Sequence, residues 1–174
     1  MADAPGNLQL ERDRDLVGRS KDAWVRRALL ALVVLFVLAA LLNTFGQRSS
    51  RASANSSAAS MTVSSPTRLR GGLIYQVRFE IEAKRRLEQP KLVLGRGWFD
   101  GLTLNTTVPE PANELTRDGR VVLVYDALPA GEELVVWLQF QVNPTKVGSP
   151  TQTVELDDGD APVLALERHL TIFP

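Results

Sequence analysis

The chain has 174 residues, with 20 basic against 20 acidic side chains and no cysteine. Zero net charge argues against nucleic acid as a partner, which needs a basic face to displace counterions. The missing thiols exclude a disulfide framework, a thiolate metal site and a cysteine nucleophile.

Residues 1–27 read as a mixed-charge cytoplasmic tail. Arg12, Arg14, Arg19, Lys21, Arg26 and Arg27 crowd its end, Ser20 is placed to cap a helix starting at Lys21, and Trp24 sits where an interfacial aromatic would lie. Residues 28–47, ALLALVVLFVLAALLNTFGQ, carry no charge, and the run from Ala28 to Leu42 is wholly apolar. At a rise of about 1.5 Å per residue, ~20 residues span roughly 30 Å, the thickness of a bilayer core. This predicts one transmembrane helix. On its far side only Arg48 and Arg51 lie within a similar distance. That asymmetry predicts an N-terminus inside and a C-terminus outside the cell membrane.

Two other readings fit the segment less well. A cleaved signal peptide would use Ala52-Ser53-Ala54, yet the tail is long for a signal and that site is 10 residues beyond Leu42. A buried soluble helix without a polar face would need protein on every side. An uncleaved signal-anchor is therefore expected.

Residues 48–66, RSSRASANSSAASMTVSSP, are rich in Ser and Ala without a hydrophobic period, and predict a flexible linker. Asn55-Ser-Ser and Asn105-Thr-Thr match the glycosylation sequon, which matters only in a eukaryotic secretory pathway.

An outer domain is expected over residues 67–174. Leu73, Tyr75, Val77, Phe79 and Ile81 alternate with polar residues, as in a half-buried strand. Further strands are predicted at Lys91–Gly95, Leu102–Val108, Val121–Tyr125, Leu134–Val142, Thr151–Leu156 and Pro162–Phe173. The turn Asp126-Ala-Leu-Pro-Ala-Gly131 and Asn143-Pro144 separate them. Some seven short strands without a later helical period predict a mainly β fold: one N-terminal transmembrane helix, then an antiparallel Ig-like β-sandwich.

Few residues invite chemistry. His169 is the only histidine and falls on the parity opposite Leu164, Leu166, Leu170 and Ile172, so a surface position beside Glu167 is expected. Asp157-Asp158-Gly159-Asp160 has the carboxylates for weak Ca²⁺ binding but lacks EF-hand spacing, and Asp and Gly are turn formers. Glu132-Glu133 would face opposite sides of a strand. Lys84-Arg85-Arg86 reads as a solvated loop or a contact for anionic polymer. No catalytic set, metal site or cofactor motif emerges. Trp98 and Phe99, between Gly97 and Gly101, form the candidate interaction loop: either a binding tip or a plug at one end of the sandwich.

The stretches GGLIYQVRFEI, LPAGEELVVWLQFQV, NPTKVG and the final TIFP resemble Ig-like sandwich modules of bacterial surface proteins. With WFDGLTLNTTVPEP and VELDDGD, the chain resembles more specifically a group of uncharacterised single-pass membrane proteins of high-GC bacteria. Arg outnumbers Lys by 16 to 4, a bias common in GC-rich genomes. The resemblance implies a fold and a location but no activity. The expectation is a non-enzymatic interaction or scaffolding module of the cell envelope, its partners being the lipid bilayer and an envelope or membrane protein. The alternative is an accessory subunit of a membrane complex.

Overall fold

The computed structural model describes residues 20–42 and 49–174. The first unit is a helix, α1 (Ser20–Leu41). Its Ala23–Leu41 stretch is long and apolar enough to cross a membrane. Leu29, Leu35, Leu38 and Leu41 are all exposed, and at about 100° per residue they fall on all sides of the axis. The helix starts earlier than the apolar run, at Ser20, and Arg26 and Arg27 are good helix formers. Residues 1–19 of the expected tail, and 43–47 of the expected span, lie outside the described residues.

The second unit is a β-sandwich built from two five-stranded antiparallel sheets. Sheet 1 contains β1 (Ser49–Asn55), β2 (Ala59–Pro66), β4 (Ile74–Ala83), β9 (Glu133–Val142) and β6 (Leu102–Val108), in the order β1-β2-β4-β9-β6. Sheet 2 contains β11 (Ala161–His169), β10 (Thr151–Asp158), β5 (Pro90–Leu94), β8 (Arg120–Val124) and β7 (Asn113–Arg117), in the order β11-β10-β5-β8-β7. A parallel pair, β3 (Arg68–Arg70) with β12 (Thr171–Phe173), completes it.

Alternation dictates the core. On β4, Tyr75, Val77, Phe79, Ile81 and Ala83 point inward and are buried; on β9, Val136, Leu138, Phe140 and Val142 do the same. Ile81 lies opposite Leu134, and Phe79 opposite Val136. Gln152, Val154 and Leu156 supply the facing layer from β10. Burying a side chain of Leu or Phe size contributes about 1.5–3 kcal/mol, so these paired faces dominate the stability.

The linker expected over 48–66 is corrected by the fold: residues 49–66 form the β1–β2 hairpin. Ser56 Oγ accepts from the amides of Ala58 (3.2 Å) and Ala59 (3.1 Å), which shapes the turn as serine hydroxyls do. Ala59, Met61, Val63 and Ser65 of β2 face the core, and β2 pairs with β4 through Met61–Ile81 and Val63–Phe79. The inward residues of β1 are only Ala52 and Ala54, too small to mark a strand by hydropathy. The sandwich thus begins at residue 49 rather than 67.

Candidate functional site

Trp98 closes a 3-10 turn, Arg96–Trp98, laid on β10. The turn comes so close that a Cβ on Gly97 would collide with the Thr151 carbonyl, and one on Gly95 with the Thr153 hydroxyl. Only glycine fits such an approach. The indole is fully buried, and its Nε1 donates to the Thr153 carbonyl at 2.8 Å. Its ring centre lies 5.6 Å from that of Phe140 and 5.7 Å from that of Phe79. Trp98 is therefore a plug, and the binding-tip reading is corrected for it: a ring sealed in the core reaches no partner. Phe99 is half-buried, 6.2 Å from Phe140, and turns toward an open cleft.

Beside Trp98 lies a group that the sequence did not reveal. Arg168 takes the inward parity of β11 and is buried, its guanidinium 5.8 Å from the indole centre. Nη2 donates to the carbonyls of Pro66 (2.8 Å) and Ser65 (3.3 Å), and Nη1 donates to Ser65 Oγ. Among the described residues no carboxylate pairs with it. Burial therefore lowers its pKa, with the neighbouring Tyr75 acting the other way. Burial pushes the Tyr75 phenol up to about 12, against the influence of Gln152 and Arg168. Gln152 lies beside the Tyr75 hydroxyl, yet among the described residues neither its amide nor that hydroxyl reaches good hydrogen-bond geometry. This cluster ties the last strand of sheet 2 to the β2 end of sheet 1.

The remaining sequence candidates sit on turns and outer faces. His169 is exposed, with Nδ1 3.1 Å from Thr151 Oγ1. Asp157-Asp158-Gly159-Asp160 forms the β10–β11 turn: Asp158 accepts from the Gln89 amide at 2.9 Å, and Gly159 has φ 60°. Asp160 pairs with Lys91 at 3.2 Å. Among the described residues no group of three His, Cys, Asp or Glu could hold a metal.

Three outward features have some size. A groove of about 870 Å³ lies on the outer face of sheet 2. Most of its charges already have partners: Arg120 reaches both Glu155 oxygens at 3.1 Å, Lys91 holds Asp160, and Arg96 donates to the Asp118 carbonyl at 2.8 Å. On the outer face of sheet 1, Trp137 is 41% exposed beneath Arg78, whose guanidinium carbon is 5.3 Å from the ring centre. Its parity, opposite to Val136 and Leu138, was the available signal.

The third feature, a cleft of about 640 Å³, opens between β6 and the β7–β8 hairpin. Phe99, Leu102, Leu104 and Val121 supply its apolar lining, and Glu110 and Glu114 are its only charged residues. Neither glutamate has an ion-pair partner among the described residues. Here one strand edge of each sheet ends without a further neighbour among the described residues. An unsatisfied charge of one sign, an apolar floor and open backbone edges make this cleft the best-formed candidate site.

No protein-family model matches the sequence, and no curated protein matches it. Among solved structures the chain is similar to a non-cellulosomal cohesin from the hyperthermophilic archaeon Archaeoglobus fulgidus, at 18% identity. The match covers 62% of this chain and 86% of that one, with a TM-score of 0.39.

Proposed function

We propose that this chain is a single-pass membrane protein of the cell envelope whose outer β-sandwich is a non-catalytic interaction or scaffolding module. The observation that carries the reading is α1, with apolar side chains exposed on all sides of its axis. In water such a surface is costly, whereas hydrocarbon accepts it. Six basic residues from Arg12 to Arg27 against two at Arg48 and Arg51 support a cytoplasmic N-terminus. The interaction role is supported by the cleft, where apolar surface and unpaired charge meet at open strand edges.

The test is a reporter, active only outside the cytoplasm, fused after Pro174. Activity is expected, and silence with an active cytoplasmic reporter overturns the orientation. Crosslinking in native membranes is expected to trap a partner on the sandwich. A partner that stays bound when the sandwich is deleted moves the contact to the helix and favours the accessory-subunit reading.

A further inference from the structure

We infer that the cleft between β6 and β7 receives an extended, basic segment of a partner protein, which adds to β7 as a new strand. This rests on the interaction-module reading and names the surface and the chemistry of its occupant.

The backbone of β7 carries the first part. Asp118 and Gly119, the two residues between β7 and β8, have φ of 54° and 73°. Two left-handed residues make a type I′ turn, which closes Arg117 and Arg120 as a hydrogen-bonded pair. Antiparallel pairs alternate between bonded and non-bonded, so Leu115–Val122 is also bonded, while Glu114–Leu123 and Thr116–Val121 are not. The amides and carbonyls of Glu114 and Thr116 therefore point away from β8, to an edge where sheet 2 has no further strand among the described residues. All five residues of β7 are exposed. An unprotected edge of this kind templates an added strand.

The cleft supplies the side-chain chemistry. A strand added at this edge would present every second side chain to Phe99, Leu104 and Val121. Glu110 and Glu114 lie on the same cleft without a cation, so basic residues on the incoming segment complement them. A second copy of this chain fits less well, because it would bring two further glutamates to the same place. The opposite side of the sandwich is tied, since Arg168 of β11 grips Ser65 and Pro66 of β2.

The test uses the full-length chain in mild detergent and a short labelled peptide that repeats Thr-Val-Thr-Lys, so that valine and lysine share the face turned to the cleft, followed by fluorescence anisotropy. Saturable binding is expected, with no binding of the counterpart in which glutamate replaces each lysine. Glu114→Lys is expected to weaken binding roughly tenfold or more by reversing the charge. Thr116→Pro, which removes an outward N–H and leaves the β8 ladder intact, is expected to weaken it similarly. Circular dichroism checks the fold, and if Thr116→Pro unfolds, Glu114→Lys decides. Equal binding of the two peptides, or binding unchanged by Glu114→Lys, overturns the inference. So does a dimer of the chain alone that Thr116→Pro dissolves, which would assign the edge to a second copy. A sandwich that binds peptide but faces the cytoplasm overturns only the proposed location, and an outer sandwich that binds none overturns only the cleft.

Discussion

The Arg168 guanidinium lies 5.8 Å from the centre of the Trp98 ring, inside the sandwich and with no carboxylate to neutralise it among the described residues. A buried unpaired charge is costly, and it persists because the planar fork reaches the Pro66 and Ser65 carbonyls and the Ser65 hydroxyl together while the indole face attracts the cation. Two opposing effects decide what replacement does. Arg168→Met removes the desolvation cost but orphans carbonyls, at about 1–3 kcal/mol. Arg168→Lys keeps the charge buried and loses the fork. The urea midpoint of Arg168→Lys is therefore expected to fall below that of Arg168→Met, and the reverse order would show that charge rather than geometry matters here.

The domain boundary gives a second test. Residues 46–174 are expected to fold alone as a soluble, β-rich monomer. Residues 67–174 lack β1 and β2, so β4 loses its Met61 and Val63 partners and Arg168 loses Ser65 and Pro66. That shorter piece is expected to be protease-sensitive and prone to aggregate. If limited proteolysis shows it to be as resistant as residues 46–174, the hairpin is dispensable.

Truncation separates the two aromatics of the 3-10 turn. Trp98 has no exposed surface and loses a hydrogen bond as well as its packing. Trp98→Ala is expected to cost ~3–5 kcal/mol, and Phe99→Ala, at the cleft, about 1–2. Chemical denaturation measures both. Equal costs would place Phe99 in the core and remove it from the cleft.

Asp157 supplies a pH test. Partial burial raises its pKa above the ordinary 3.8, Glu155 adds to the rise, and Lys91 and Arg120 oppose it. A carboxyl raised on folding favours the fold below its unfolded pKa, and that advantage is lost as pH rises through the folded value. Asp157→Asn removes the ionisation. The variant is expected to melt slightly above the parent at neutral pH, with the gap closing as pH falls toward 3.8. A gap that widens in acid would mean that Asp157 is stabilised by its cations.

The strands that carry large side chains were legible. Tyr75 to Ile81 and Leu134 to Val142 alternate in the sequence and emerge in β4 and β9, paired through Phe79 and Val136, while Leu73, expected on the same inner face, precedes β4 and is exposed. The strands missed were β1, β2, β3 and β7: β1 and β7 bury little, β3 is short, and in β2 only Met61 and Val63 stand out among Ser and Thr. Ala52 and Ala54 carry too little apolar area to signal an inward face, and β7 is exposed throughout. Local composition then reads as linker or loop, and only pairing to a neighbour reveals the strand. The position of Arg168 was written in its parity with Leu166 and Leu170, but charge argued against an inward face. The cleft was not legible, because it joins Phe99 to Glu110 and Glu114 through sheet order alone.

The β1–β2 hairpin also orders events in the life of the chain. Ala52-Ser53-Ala54 has the small-residue pattern that a processing peptidase reads, but in the folded domain Ala52 is laddered to Val63 and Ala54 to Met61. A peptidase must draw its substrate out into its own active site, so scission here competes with strand pairing. Once β1 has zipped onto β2, the scissile segment is withdrawn until the edge of the sheet opens again. Folding and a cut after Ala54 are thus alternatives, and a chain that folds uncut keeps residues 1–54.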